Sequence, residues 1–151
     1  MSVSVQHEDF DAGRESARLL AGRADVGAVA TFVGIVRGDG GDDAVSAMTL
    51  EHYPGMTEKA LEGIVAQALS RWPAVTGIRV IHRVGRLAVG EQIVFVGVAS
   101  GHRGEAFAAC EFVMDYLKTR APFWKKEERP SGASWVDARE SDDEAAARWA
   151  D

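Results

Sequence analysis

The sequence has a single cysteine, Cys110, among its 151 residues. One cysteine excludes an internal disulfide and a zinc site built from cysteines. No apolar run approaches the roughly 20 residues that a membrane-spanning helix needs. The first ten residues also lack the basic and apolar regions of a signal peptide. We therefore expect a cytoplasmic protein without a membrane segment.

Positive charge is also scarce. Acidic residues number 23 against 17 Lys and Arg, which leaves a formal net charge of -6. An acidic chain has no general affinity for nucleic acid. No group of His, Asp and Glu has metal-ligand spacing, and there is neither a dinucleotide-binding fingerprint nor a P-loop. We expect no nucleic-acid partner, no metal and no cofactor, in a single domain that spans residues 1–151.

Hydrophobic patterns of the helix and strand types are mixed along the chain. Apolar residues three and four apart predict two long helices, at about residues 57–72 and 103–119. Strand patterns close enough for hairpins favour an α+β fold over a doubly wound parallel sheet. The runs at 27–36 and 91–100 are apolar on both faces, which predicts central strands. The remaining expectations are strands near 3–5, 45–52, 78–84, 123–128 and 135–136, helices at 11–21 and about 144–149, a mobile loop at 38–43 and a turn at 85–90.

Residues 116–126, here called the basic segment, hold four cations and no anion in a chain that is acidic overall. Such a cluster costs self-repulsion, so it indicates an anionic ligand. The helix must end before Pro122, which puts Lys118 at a helix end and Lys125 just beyond the turn. Nearby cations and burial lower a lysine pKa, whereas a helix C-terminus raises it. On these residues alone, a helix-capping Lys118 and a solvated Lys125 remain an open alternative.

Three other cationic or titratable positions suit an anion. His102 and Arg103 follow an apolar strand and open a helix, where unpaired N–H groups and a guanidinium can bind phosphate or carboxylate. Arg37 ends a strand before a glycine-rich loop, which invites the same interpretation. The alternative for His102 and Arg103 is a capping and surface role.

The sequence around His52, His82 and Cys110 favours structural roles for these residues. His52 and His82 are isolated in the sequence, and a lone histidine is more often structural than catalytic. Cys110 lies on the apolar stripe of a predicted helix, where a buried thiol is inert packing. We therefore do not expect Cys110 to carry sulfur.

Six undivided blocks of the sequence carry a family likeness, at residues 32–37, 50–61, 81–85, 90–98, 100–103 and 114–125. They resemble the large, catalytic subunit family of molybdopterin synthase, and the resemblance runs from about residue 27 to residue 147. The blocks LEHYPGMTEKAL and YLKTRAPFWK are long enough to be very specific. The chain resembles the stand-alone form, since it is too short to be fused to the small subunit.

The resemblance implies a fold, an activity and partners. The fold is of the α/β-hammerhead type, with a mixed, largely antiparallel sheet. The activity is sulfur transfer in molybdenum cofactor biosynthesis, which converts cyclic pyranopterin monophosphate to molybdopterin by installing two dithiolene sulfurs. Sulfur arrives as a thiocarboxylate on the Gly-Gly C-terminus of a small ubiquitin-like subunit. Two large subunits form a homodimer, with a small subunit at each end of the resulting heterotetramer.

Site residues also follow from the resemblance, at the matching motif positions. Lys118 is the leading catalytic residue, and Lys125 lies beside the terminus of the incoming tail. The histidine and one of the arginines could come from the second large subunit. The remaining alternative is a non-catalytic module that only docks a ubiquitin-like tail. Positions for pterin and phosphate binding or pocket lining are Arg37, His102, Arg103, Phe32 and Met114.

Overall fold

The computed structural model describes residues 2–136 and 140–150, which contain eight strands and four helices. The strands are β1 (Val3–Gln6), β2 (Ala28–Ile35), β3 (Ala47–His52), β4 (Val75–Arg83), β5 (Gly85–Ala88), β6 (Gln92–Ser100), β7 (Phe123–Arg129) and β8 (Gly132–Val136). The helices are α1 (Ala12–Leu20), α2 (Met56–Arg71), α3 (Arg103–Arg120) and α4 (Glu140–Ala147). None of the described helices is long and apolar enough to cross a membrane.

The strands form two four-stranded sheets, ordered β1-β4-β6-β2 and β5-β3-β7-β8. Only β1 and β4 pair in parallel, and all other pairs are antiparallel. The α+β prediction with a mixed, largely antiparallel arrangement is confirmed. So are two long helices, α2 with 16 residues and α3 with 18. The predicted N-cap of α1 is also present, because the Asp11 carboxylate accepts from the Arg14 amide at 2.9 Å.

Two hydrophobic cores divide the domain. The main core packs α2 and α3 against the first sheet, with Phe112 of α3 fully buried. The smaller core lies on the second sheet and contains Val36, Met48, Leu50 and Leu87. The half-buried Ile93 packs against both clusters. The two cores therefore meet at this residue, and the candidate site opens beside it.

The prediction of a central strand at 27–36 is wrong. β2 is an edge strand, paired only with β6, and Phe32 and Ile35 are 40% and 47% exposed. The central position predicted for 91–100 is correct, since β6 bonds both β4 and β2. An apolar pattern reports the two faces of a strand, whereas the order of strands depends on which neighbours bond its two edges. A run that is apolar on both faces is therefore also compatible with an edge strand that has exposed apolar side chains.

The prediction of a turn at 85–90 is also wrong, because β5 occupies Gly85–Ala88 and pairs with β3. Gly85 is the first residue of β5 and Gly90 follows the strand, with φ of +89° at Gly85 and +92° at Gly90. A side chain would strain that backbone, so glycine at 85 lets the chain turn directly from the first sheet into the second. Glycines at both ends of this segment favoured the turn interpretation. The last helix also begins earlier than expected, at Glu140 rather than near 144.

Candidate active site

A cleft of about 880 Å³ opens where the two sheets meet the last turn of α3. Its walls come from the end of β2, from β3 and β7, and from the C-terminal turn of α3. Its apolar lining includes Leu50, Ile93 and Leu117. The polar groups in the lining can orient a ligand, and the apolar groups can pack against it.

The basic segment is divided between this cleft and the outer surface. Lys118 and Lys125 both line the cleft, because the helix ends before Pro122 and β7 begins directly after it. Arg120 and Lys126 instead lie over aromatic rings, at 3.9 and 5.5 Å from the ring centroids. Alternation along β7 explains the difference between Lys125 and its neighbour, since successive side chains point to opposite faces.

The charges that line the cleft are unevenly balanced. Arg129 is paired with Asp39 at 2.8 Å and with Glu127 at 3.5 Å. Within residues 2–136 and 140–150, Arg37 and Lys125 have neither an ion pair nor a hydrogen bond from their side chains. Asp142 also lines the cleft, so the described lining holds four cations against three carboxylates, and this positive excess suits an anionic ligand.

The glycine-aspartate loop predicted to be mobile is tied down at both ends. Asp39 accepts a hydrogen bond from the Val45 amide at 2.9 Å, and Asp43 accepts from the amide and hydroxyl of Ser131 at 2.9 and 2.7 Å. The Val45 hydrogen bond and Arg129 lower the pKa of Asp39. Because these bonds commit Asp39 to other partners, it does not neutralise Arg37.

His82 is a cleft residue that the sequence did not single out. It lies on β4 with 5% exposure, and its ring stacks on Phe123 with centroids 3.9 Å apart. Its Nδ1 lies 2.8 Å from the Arg83 carbonyl oxygen. Burial lowers the pKa of His82 to about 4, with a smaller effect of the Lys118 charge, so the ring is neutral at pH 7. A histidine in phase with the apolar Ile78 and Val80 on a strand was the available signal.

His102 and Arg103 lie at the far end of α3 from Lys118. Fifteen residues of helix separate Arg103 from Lys118, which corresponds to about 22 Å along the axis. Neither residue lines the cleft, and the His102 side chain makes no capping hydrogen bond. Met114 is 8% exposed, packs in the main core and does not line the cleft. Within one chain, the cleft therefore gathers only part of the predicted set, namely Lys118, Lys125, Arg37 and Phe32.

Cys110 is inert, as predicted. It is 8% exposed in the main core, and its thiol lies 3.8 Å from the Val96 carbonyl oxygen. Burial raises the pKa of this thiol to about 11, so it is protonated at neutral pH. A protonated, buried thiol is neither a nucleophile nor a metal ligand. Among the residues that the structure describes, no cluster of three or more His, Cys, Asp or Glu could hold a metal ion.

Comparison with known proteins assigns the chain and its fold to a family. The profile of the MoaE protein family matches residues 5–120. The chain belongs to the MoaE protein family. A molybdopterin synthase catalytic subunit from Ralstonia nicotianae is 61% identical over 148 residues, which cover 98% of this chain and 84% of that protein. The profile match contains Arg37, His82 and Lys118, and the longer alignment extends over most of the chain.

Solved structures with the same fold extend this relationship. A molybdopterin biosynthesis MoaE protein from Burkholderia ambifaria is 57% identical, with a TM-score of 0.83 and coverage of 98% of this chain and 97% of that one. A chain from a protein–protein complex of subunits 1 and 2 of molybdopterin-converting factor from Helicobacter pylori is 18% identical, with a TM-score of 0.75. Each chain is covered to 92% in that comparison, which shows a shared fold. The α+β fold described above is thus the MoaE fold.

Proposed function

We propose that this MoaE-family chain is the catalytic subunit of a molybdopterin synthase, a sulfurtransferase of molybdenum cofactor biosynthesis. It transfers sulfur from the C-terminal thiocarboxylate of a small ubiquitin-like subunit to cyclic pyranopterin monophosphate, forming the dithiolene of molybdopterin. The observation that carries the proposal is the cleft that Lys118, Lys125 and Arg37 line together, in a chain whose relatives are named for this activity.

Both ligands of the proposed reaction are anionic, which matches the charge of the cleft. The pterin precursor carries a phosphate, and the partner's tail ends in a thiocarboxylate. Arg37 and Lys125 have no carboxylate partner among the described residues, so each can pair with one of these anions. The apolar walls strengthen such pairs because they exclude water. The chain's one cysteine is buried and protonated, which fits a reaction whose sulfur comes from the partner.

The two lysines have different places in the proposed reaction. Lys118 belongs to the last turn of α3, and Lys125 belongs to the facing strand β7. An anion between them would be held from two sides. In the proposal Lys118 carries the chemical step, as a nucleophile or as a base and electrostatic stabiliser, and Lys125 binds the terminal carboxyl group of the tail. Phe32 and the apolar walls exclude water from the same cleft.

The proposal includes a second copy of this chain. His102 and Arg103 are too far from the cleft of their own chain to contact a ligand bound at Lys118. In a homodimer they can enter the partner's cleft. The exposed edge of β2, which borders the cleft at Phe32, supports such an arrangement. A small subunit at each end completes a heterotetramer, which we place in the cytoplasm.

Reconstitution tests the proposed function directly. The purified chain is mixed with a thiocarboxylated small subunit and cyclic pyranopterin monophosphate, and molybdopterin is assayed. We expect product with the thiocarboxylate and none with a small subunit that ends in an ordinary carboxylate. Tight binding of the small subunit without product would instead favour a non-catalytic docking module. Turnover in the absence of any small subunit would also contradict the proposal.

A further inference from the structure

His82 presents a nitrogen without a partner to the cleft. Its Nδ1 is occupied by the Arg83 carbonyl at 2.8 Å, and no described residue bonds Nε2. Among the described residues, every fully buried side-chain nitrogen and oxygen atom has a hydrogen-bond partner. Because Nε2 has no partner, it is not among the fully buried atoms. Since His82 lines the cleft, this atom is exposed at the cleft surface.

The chemistry of Nε2 is set by the other side of the ring. A carbonyl oxygen only accepts hydrogen bonds, so Nδ1 must carry the proton that joins His82 to Arg83. In the neutral ring Nε2 is then an acceptor. The ring cannot turn freely, because it is stacked on Phe123 with an interplanar angle of 19°. His82 is thus a fixed hydrogen-bond acceptor in the cleft that Lys118 and Lys125 also line.

The charged groups around His82 leave this acceptor role to the ring. Lys118 on α3 is the neighbour whose charge acts on the ring, and it opposes a positive imidazole. Lys125 on β7 lines the same cleft. Lysines offer donors only, so they bind the oxygen or sulfur atoms of an anion but cannot bind an N–H group. A ligand with an N–H beside its anionic group would therefore use His82 and the lysines together.

We propose that Nε2 of His82 accepts a hydrogen bond from the amide N–H of the terminal residue of the small subunit's tail. The inference rests on the proposed function. From standard bond lengths, the amide nitrogen of a terminal residue is about 2.5 Å from its carboxyl carbon. When the two lysines hold the carboxyl group in the cleft, its amide lies in the same cleft that His82 lines. His82 is a positioning residue, which holds the reacting carbon in one orientation.

A buried acceptor also explains why an unbranched residue would be needed at the end of the tail. His82 is 5% exposed and lies against Phe123, so only a narrow chain can bring its backbone to Nε2. A terminal glycine has no side chain to hinder this approach. The N–H of a pterin ring has the same donor chemistry, and the experiment below separates these two sources.

A binding cycle tests the proposal without relying on catalysis. Two semisynthetic small subunits are compared, one ending in Gly-Gly and one ending in Gly-N-methylglycine, both with a free carboxylate. For the wild-type chain we expect N-methylation to weaken binding about tenfold, as for the loss of one hydrogen bond. His82→Phe keeps the stacked ring but removes the acceptor, so it should bind the Gly-Gly tail about tenfold more weakly and show no further loss on N-methylation. His82→Gln, which retains an acceptor, should restore most of the difference.

The outcomes separate this proposal from the proposed function. An equal N-methylation penalty in the wild type and in His82→Phe would overturn the role of His82 while leaving the function intact. Weaker binding of cyclic pyranopterin monophosphate with unchanged tail binding would overturn it too, by assigning the donor to the pterin. If the wild type binds neither small subunit, the proposed function fails as well. Thermal unfolding checks each variant, and His82→Leu replaces His82→Phe should that variant not fold.

Discussion

The two ends of α3 differ in what surrounds them, although both carry predicted ligand-binding residues. At the C-terminal end, Lys118 opens into a cleft that Lys125 and Arg37 also line. At the N-terminal end, His102 and Arg103 lie on the surface and border no part of that cleft. Between them Cys110 is buried and protonated at neutral pH. One end of the helix thus borders the cleft of its own chain, and the other end does not.

Residues that sequence motifs group into one predicted site, such as Arg103 and Lys118, therefore need not lie together in one chain. A rigid helix of 18 residues holds its two ends about 27 Å apart, at 1.5 Å per residue. If both ends serve the same reaction, two chains must be arranged so that the N-terminal end of one α3 approaches the C-terminal end of the other. The following experiments test each end in turn.

Removal of Lys118 should have the largest effect. We expect Lys118→Ala to lower the rate of molybdopterin formation by roughly 10²-fold or more, the range for loss of an acid–base or nucleophilic group. Binding of the small subunit should change little, because Lys125 and Arg37 remain in the cleft to pair with the tail. The measurements are single-turnover product formation and the dissociation constant of the small subunit.

Arg120→Ala is the matched control for Lys118→Ala. Arg120 lies in the same last turn of α3 and is also cationic, but it packs over Tyr116 instead of lining the cleft. Its loss should leave the reaction rate within about twofold, as for surface substitutions outside a site. Normal turnover by Lys118→Ala would mean that the C-terminal end of α3 is not the catalytic end.

Complementation between the two ends should give the next largest effect. Lys118→Ala and Arg103→Ala are each expected to be weakly active alone. When the two variants are mixed and allowed to exchange subunits, half of the dimers are mixed, and each mixed dimer has one site with both side chains present. If the site spans two chains, activity should rise to about a quarter of the wild-type value. The assay is product formation before and after subunit exchange.

The complementation experiment has a clear opposite result. If Arg103 served the cleft of its own chain, every site in a mixed dimer would lack either Lys118 or Arg103. No activity would then return on mixing. That result would contradict the proposed site in which one chain contributes Lys118 and the other contributes Arg103.

The smallest expected effect is a pH dependence of the free energy of unfolding. It is caused by His82, which lines the cleft beside the C-terminal end of α3. His82 has a pKa of about 4 in the folded chain against 6.5 for an ordinary histidine. As pH falls below 6.5, His82 binds a proton in the unfolded chain but not in the folded chain. The free energy of unfolding is therefore highest above pH 6.5 and decreases down to pH 4. The difference corresponds to about 3 kcal/mol. Urea unfolding of wild type and His82→Phe at pH 7.5 and 4 measures it.

His7→Gln is the matched control for this measurement, because His7 is an exposed histidine. Its unfolding free energy should follow the wild type across the same pH range. The His82→Phe curve should be flatter than the wild-type curve by about the stated amount. Parallel curves for wild type and His82→Phe would show that the buried ring does not resist protonation.

Local spacing in the sequence was enough to predict much of this protein. The apolar stripes of α2 and α3 and the break at Pro122 are properties of neighbouring residues, so the helices and the placement of Lys118 and Lys125 at one cleft followed from them. The acidic composition with one basic segment indicated an anionic ligand. The inert Cys110 was likewise predictable, because its helical phase is apolar.

Contacts between distant parts of the chain settled the remaining features. β2 is an edge strand because only β6 bonds it, and no pattern within 27–36 reports that. The ring of His82 is held at the cleft because Phe123, 41 positions later in the numbering, stacks on it. The separation of Arg103 from Lys118 follows from the length of one rigid helix. Such features depend on pairings across the fold, where the free energy of burial and hydrogen bonding outweighs local preference.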